Sequence, residues 1–469
     1  MKAAAAQQLS HPRTTMSLPS LWPGFNYEAH QIAGIQWMLQ RENDPLHQGG
    51  LLCDEMGLGK TIQLIGLMRA SPKKRNLFIG PLAVLEQWRA TATRAGMNCW
   101  MSTKDSRWEP PTHLQIHAPN LFLINYELAS KRPLLTHTQS WDRVICDEAH
   151  RLVNEGVSWR LIDEIPCRIH WFLTATPIIN KATDLRALYK LLGAPYDQTT
   201  ISTYVLARTM DQLRATMPHL PKQPIEMTHV LDFDTEDEGD FYKGIQGQIV
   251  RRWKAMNADG GNAALDKLRL IMRLRQISLH PQIYIESRRN ELGVALYTRP
   301  DWIDPSTKFQ GIRDLIEKDI EPKKWIIFCH FHKEMELLKS FLDYSKSIER
   351  TWLYSGKMSA VERLKVLQET EMPIGEGHDI ILIQLQSGGV GLNLQHFQTI
   401  VFSGPWWTAA LMDQAVGRAV RIGQKNQVIV HHMVLKEETG LNIDKHIRAK
   451  AAAKKKLCEN VLAAANHSV

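Results

Sequence analysis

Apolar and polar positions along the 469-residue chain fall into two alternating textures. Short unbroken apolar runs, Leu51-Leu52-Cys53, Leu77-Phe78-Ile79, Leu121 to Ile124, Val144-Ile145-Cys146 and Trp171-Phe172-Leu173, are separated by stretches of helical spacing such as 82–94. Runs this short, alternating with helical stretches, predict buried strands of a parallel sheet covered by helices on both faces. The texture returns in a second block with Trp325 to Cys329, Trp352-Leu353-Tyr354, Ile380 to Ile383 and Thr399 to Phe402. There Val428-Ile429-Val430 is expected to close the sheet, with helices over 333–345, 359–371 and 408–420. Between the blocks, 181–305 reads as helical with little strand signal, and Asp301 to Ser306, with two prolines, reads as a hinge. Ahead of the first block, 27–39 predicts an amphipathic helix with Ile32, Ile35, Met38 and Leu39 on one face.

Candidate chemistry is concentrated where the predicted strands end. Asp54-Glu55-Met56-Gly57-Leu58-Gly59-Lys60-Thr61 follows the first apolar run and precedes a helical stretch, the context that a phosphate-binding loop needs. Gly57 and Gly59 permit a tight turn whose amides face one phosphate at a helix N-terminus. Lys60 suits the β and γ phosphates of ATP, and the Thr61 hydroxyl suits a magnesium ion. The generic loop begins with glycine, and here that position is Asp54. Asp147-Glu148 follows another apolar run; an acid there can hold Mg2+, and its neighbour can polarise water for attack on the γ phosphate. Asp147 is therefore assigned to the metal and Glu148 to the water. Gln31 offers the donor and acceptor of an amide to adenine. In the second block Arg418 and Arg421, three apart on an expected helix, can aim two guanidiniums at a triphosphate held by the first.

Composition narrows the setting. Apolar content of 44% and charged content of 23% are globular values, and the length implies more than one domain. The net charge of +8 fits a polyanionic partner, and Arg251, Arg252, Lys254, Lys267, Arg269, Arg273, Arg275, Arg288 and Arg289 make 251–289 a candidate nucleic-acid groove. Six scattered cysteines show no zinc spacing, which argues for a reducing compartment and against a zinc module. No apolar run is long enough for a signal core or a membrane span, so no membrane partner is expected. Lys454-Lys455-Lys456 is a candidate nuclear-localisation or phosphate-binding patch.

Taken in order, these segments resemble the SWI/SNF family of superfamily-two helicase-like ATPases, from Tyr27 to about Val434. Asp54 to Thr61 reproduces that family's D-E-M-G-L-G-K-T, so Asp54 is the family's own habit. Pro81 with Trp88, Asn125-Tyr126, Asp147 to His150, Leu173 to Pro177 with Asn180, Gly388 to Leu394 and Gln414 to Gln424 match its successive motifs. The resemblance implies two RecA-like α/β lobes, each a mostly parallel sheet flanked by helices, with a helical insertion between them. The corresponding division is a disordered 1–20, a first lobe over 21–180, an insertion and hinge over 181–305, a second lobe over 306–436 and a basic helix over 437–469. It further implies ATP and Mg2+ as cofactors, with Gln31, Asp54 to Thr61, Gly391 and Gln414 around the nucleotide and Arg418 and Arg421 as finger residues. Thr174 and Thr176 would couple hydrolysis to lobe movement. Pro81, Asn125, Gly388 and Gly389 would lie near the phosphates of double-stranded DNA, and nucleosomes or other DNA-bound proteins, acted on in transcription or DNA repair in the nucleus, would be the wider partners.

Ala175, Val153 and Thr408-Ala409 depart from the family pattern at positions tied to coupling and DNA contact. Leu274 to Pro281 is similar to a signature of the family's repair and termination branch, and the compact length resembles the global transactivator proteins of large DNA viruses. Two rival expectations keep the same fold: an RNA helicase of the DEAH group, and a non-catalytic DNA-binding scaffold.

Overall fold

The computed structural model describes residues 18–258, 264–388, 392–436, 442–463 and 465. The apolar runs form two separate sheets. The first contains β1 (Gln48–Leu52), β2 (Arg75–Gly80), β3 (Asn98–Ser102), β4 (Trp108–Glu109), β5 (Asn120–Asn125), β6 (Arg143–Asp147), β7 (Ile169–Leu173) and β8 (Val205–Leu206), in the order β4-β3-β5-β2-β6-β7-β1-β8. All neighbours are parallel except β3 with β4. The second contains β9 (Ile225–Leu231), β10 (Lys324–Cys329), β11 (Ile348–Tyr354), β12 (His378–Gln384), β13 (Thr399–Phe402) and β14 (Ile429–Leu435), all parallel, in the order β11-β12-β10-β13-β14-β9. Central strands carry unbroken apolar runs because helices cover both faces, and each sheet accordingly separates two apolar clusters. Among the described residues no helix is long and apolar enough to cross a membrane.

Three features differ from the expected division. The first sheet runs past residue 180 to β8, whose two residues are too few to give a periodic signal. The second sheet does not close on Val428 to Val430; β9 is the outer strand and lies well before residue 306. Most of β9 is exposed or half-buried, so it lacks the unbroken apolar run that marked its neighbours. The insertion is thus confined to the helices Glu236–Ala258, Ala264–Leu279 and Pro281–Leu292, which share a core with Leu435, Ile443 and Ile447 and so belong with the second lobe.

The long C-terminal helix, Ile443–Ala463, is not a free basic tail. Its first turns pack on the inserted helices, whereas Leu457, Cys458, Val461 and Leu462 pack on the first lobe's core. Lys455 between them is paired with Asp413 at 3.3 Å, which removes the central lysine of the proposed basic patch.

Candidate functional site

The loop after β1 is shaped by two left-handed glycines. Gly57 has φ +89° and Gly59 has φ +76°, and Gly59 is also the N-cap of the helix Lys60–Ala70. A Cβ on Gly59 would stand 2.6 Å from Gln31 Nε2, so the backbone passes directly against that amide. Gln31 is buried, and its Oε1 closes the capping box of its own helix by accepting from the Glu28 amide at 3.1 Å. Lys60 and Thr61 are part-exposed on the first helical turn, and Lys60 Nζ donates to the Asp54 carbonyl at 2.6 Å.

The side chains of Asp54 and Leu58 are buried within the first lobe. Asp54 is fully buried and accepts from the Arg208 amide at 3.1 Å, Arg208 Nε at 3.0 Å and Gln63 Nε2 at 2.9 Å. Asp54, expected with the rest of the loop around the nucleotide, commits its carboxylate to a buried ion pair with Arg208 at 2.5 Å, and its carbonyl is what reaches Lys60. Leu58 is likewise buried among Met210, Met217 and Leu220.

Strand β6 delivers the acids. Trp88 Nε1 donates to Asp147 Oδ2 at 3.2 Å, and the Glu148 amide donates to Asp147 Oδ1 at 2.9 Å. Burial, and then the neighbouring Glu148 charge, push the Asp147 carboxyl up to about 6. Burial pushes Glu148 the same way, but the His150 hydrogen bond and the charges of His150, Lys60 and Arg418 outweigh it and hold Glu148 below its ordinary value. The two carboxylates are thus driven apart, Asp147 toward its protonated form and Glu148 held ionised. Glu148 also has φ +51°, a left-handed conformation that costs a non-glycine residue about 1 kcal/mol or more. His150 Nδ1 sits 3.3 Å from Glu148 and 3.4 Å from Thr174 Oγ1, which accepts from the Thr176 amide at 3.1 Å. One imidazole therefore links the acid to the strand β7 exit.

The second lobe closes the site. Gln414 Nε2 donates to Glu148 Oε2 at 3.4 Å across the cleft. Arg418 is buried, and its pKa is lowered to about 10 by burial and then by Arg421, against the opposing pull of Glu148 and Asp147. Arg421 Nε donates to the Gly417 carbonyl at 2.8 Å. Both arginines follow the helix Ala409–Val416 rather than lying on it: Gly417 is its C-cap, and turns carry the chain on from there. The same face meets the phosphate loop directly: a Cβ on Gly417 would come within 3.3 Å of Met56 Cβ.

The expected DNA-facing residues are more scattered. Pro81 and Asn125 both cap helices at strand exits, and Asn125 Oδ1 accepts from the Leu128 amide at 2.8 Å. Gly388 ends a short helix, Leu385–Gly388, whereas Gly389 and Gly391 lie outside the described residues. Of the basic run, Arg273 and Arg288 pair with Glu291, Arg269 with Asp266 and Arg289 with Asp301, and Arg275 is buried against Trp406. Arg251, Arg252 and Lys254 are exposed, and Lys267 stands 5.6 Å from the Trp253 ring centroid.

Residues 30–200 match the SNF2-related domain, and residues 307–423 match the helicase conserved C-terminal domain. The chain belongs to the SNF2-related, helicase-like ATPase family. It is similar to a probable global transactivator of Orgyia pseudotsugata multicapsid polyhedrosis virus, at 25% identity over 91% of this chain and 89% of that protein. It is also similar to the chromatin structure-remodeling complex subunit snf21 of Schizosaccharomyces pombe, at 27% identity, and to the ATP-dependent helicase brm of Drosophila melanogaster, at 26%. The chain spans only 38% and 29% of those two SNF2-related relatives. A solved Sulfolobus solfataricus SWI2/SNF2 ATPase core in complex with dsDNA aligns over 96% of both chains with 21% identity and a TM-score of 0.40.

Arg208, Gln63 and His30 were not legible as site residues. A buried acid at a glycine position of the loop demands a buried cation, but nothing in the spacing says which of the many arginines supplies it.

Proposed function

We propose that this SNF2-related chain hydrolyses ATP between its two lobes and uses the cycle to translocate on double-stranded DNA, remodelling or displacing DNA-bound proteins such as nucleosomes. The observation that carries the reading is the convergence across the cleft: Gln414 and Arg418, more than half the chain away in sequence, meet the same carboxylates that face Lys60. A mononucleotide site confined to one lobe has no use for that arrangement.

The residues present fit both ATP and Mg2+. The left-handed turn at Gly57 and Gly59 leads into the N-terminus of the helix Lys60–Ala70, where a phosphate would meet backbone amides, and the raised pKa of the buried Asp147 suits a carboxylate that gains a cation. Asp147 and Thr61 would hold the metal, which supplies charge neutralisation for the transferring phosphoryl group. Glu148, kept ionised by His150, accepts a proton from the attacking water, while Lys60, Arg418 and Arg421 stabilise charge growing on the phosphoryl oxygens. Gln31, wedged against Gly59, is placed to orient adenine. Because Arg418 and Gln414 belong to the second lobe, these contacts exist only in the closed state, and hydrolysis favours opening. A nuclear location follows from that substrate rather than from a targeting signal.

Steady-state hydrolysis by the purified chain, without nucleic acid and with duplex DNA, single-stranded DNA or RNA, tests the proposal with Glu148→Gln as the blank. Stimulation by duplex DNA is expected. Preference for RNA would move the chain to the RNA-helicase reading, and no hydrolysis under any condition would leave the scaffold.

A further inference from the structure

The phosphate loop is walled on one side by the segment that leaves the first lobe for the second. Residues 205–220 run from β8 alongside the loop and then into β9, the outer strand of the other sheet. Parallel pairing of β1 with β8 continues past the strand ends: the Cys53 amide donates to the Leu206 carbonyl at 2.7 Å, and the Glu55 amide to the Arg208 carbonyl at 2.8 Å. Glu55 Oε2 then accepts from the Met210 amide at 2.6 Å. Leu58 is buried in a small apolar cluster with Met210, Met217 and Leu220, with Leu213 and the second lobe's Ile422 packed against it.

Deeper in, Arg208 and Asp54 form the centre of a buried polar knot. Besides its bonds to Asp54, Arg208 donates to the His30 carbonyl through Nη1 at 2.5 Å and to Gln63 Oε1 through Nη2 at 2.9 Å. His30 Nε2 donates in turn to the Leu58 carbonyl at 2.8 Å. The side chains of Asp54, Glu55 and Leu58 are thus all spent on the connecting segment.

We propose that residues 205–220 form a structural wall of the phosphate loop, with Arg208 as its positioning residue, so that the state of the loop passes to the second lobe along the chain itself as well as across the cleft. The inference rests on the nucleotide-site reading above. A loop that tightens on phosphate moves Asp54, Glu55 and Leu58 together, and the connector must follow because its amides, its guanidinium and its apolar side chains are each tied to one of them.

Amide hydrogen exchange of the full chain, with and without a non-hydrolysable ATP analogue, tests this without any substitution. Nucleotide is expected to slow exchange over 55–60 and over 205–214 together. Protection of the loop with no change in the connector would overturn the inference while leaving the nucleotide site intact; absence of protection in both, with no analogue binding, would overturn the two together. The paired variant Asp54→Asn with Arg208→Met removes the ion pair without stranding a charge. In it, analogue should still protect the loop but not 205–214, and the stimulation of kcat by duplex DNA should fall about tenfold. Retention of both connector protection and stimulation in that variant, once thermal unfolding shows it folded, would equally sink the proposal.

Discussion

The first lobe buries an arginine against a carboxylate at each end of its sheet, and the two pairs serve different ends. At the N-terminal ends of the strands Arg143 is fully buried, with Nε and Nη2 each 2.6 Å from Glu42 and Nη1 2.6 Å from Asn76 Oδ1, while Trp171 donates to the same Glu42 at 3.0 Å. At the C-terminal ends Arg208 clasps Asp54. Both arrangements satisfy their charges, and neither is evidence of net stabilisation over an apolar packing. They differ in what they touch. The Glu42 pair joins a helix to hydrogen-bonded strands of a single sheet, whereas the Asp54 pair joins the phosphate loop to the route into the other lobe. Chemistry in open parallel sheets belongs at the carboxyl ends of strands, and the same ion pair becomes a part of the mechanism or a part of the scaffold according to which end it occupies.

The comparison can be broken first at its functional end. Lys60→Ala and Arg418→Ala should each abolish measurable DNA-stimulated hydrolysis; by analogy with arginine fingers in other nucleotide hydrolases, losing Arg418 alone should cost about 10³-fold or more in kcat. Calorimetric unfolding should change little for Lys60→Ala, because its Nζ is part-exposed. At the scaffold end the expected result is reversed. Glu42→Gln leaves a buried guanidinium without its counter-charge and should cost about 3–5 kcal/mol in denaturant unfolding, yet the KM for ATP of the folded protein should be unaltered. A shifted KM would mean that the two ends are not separate.

Acid sharpens the contrast at smaller scale. His170, near the start of β7, is buried, and desolvation lowers its pKa to about 4. A folded pKa below the unfolded value means that protonation favours unfolding, so this contribution to stability is intact above about pH 6.5 and drains as pH falls toward 4, at about 1.4 kcal/mol per unit. His170→Phe should flatten the dependence of the unfolding midpoint on pH in that window. The smallest effect is expected at Asn125, whose side chain is occupied as an N-cap. Asn125→Ala should cost about 1 kcal/mol of stability, and a loss of duplex affinity exceeding that destabilisation would restore the residue to the DNA-facing set.

What could be read from the residues followed how strongly each feature repeats. Strands such as Val144 to Cys146 and Ile380 to Ile383 are unbroken and central, so both sheets and the positions of Lys60, Asp147 and Glu148 at strand exits were legible. The strand β9 was missed because an edge strand exposed along most of its length carries mixed polarity. The two residues of β8 were missed because periodicity cannot register in so short a run. Arg418 and Arg421 were placed on a continuous helix that Gly417 in fact ends. Much of the basic run over 251–289 is paired, Arg269 with Asp266 and Arg288 with Glu291 three residues away in sequence and Arg289 with the more distant Asp301. Charge in a list of residues is not charge on a surface.

The helix Ile443–Ala463 gives the molecule a property that neither sheet supplies. Its 21 residues span about 30 Å, and its two ends complete the apolar cores of different lobes. Melting either core strips one end of the helix of its packing and so weakens the other core. Two bodies that would otherwise denature on separate schedules are therefore expected to unfold together.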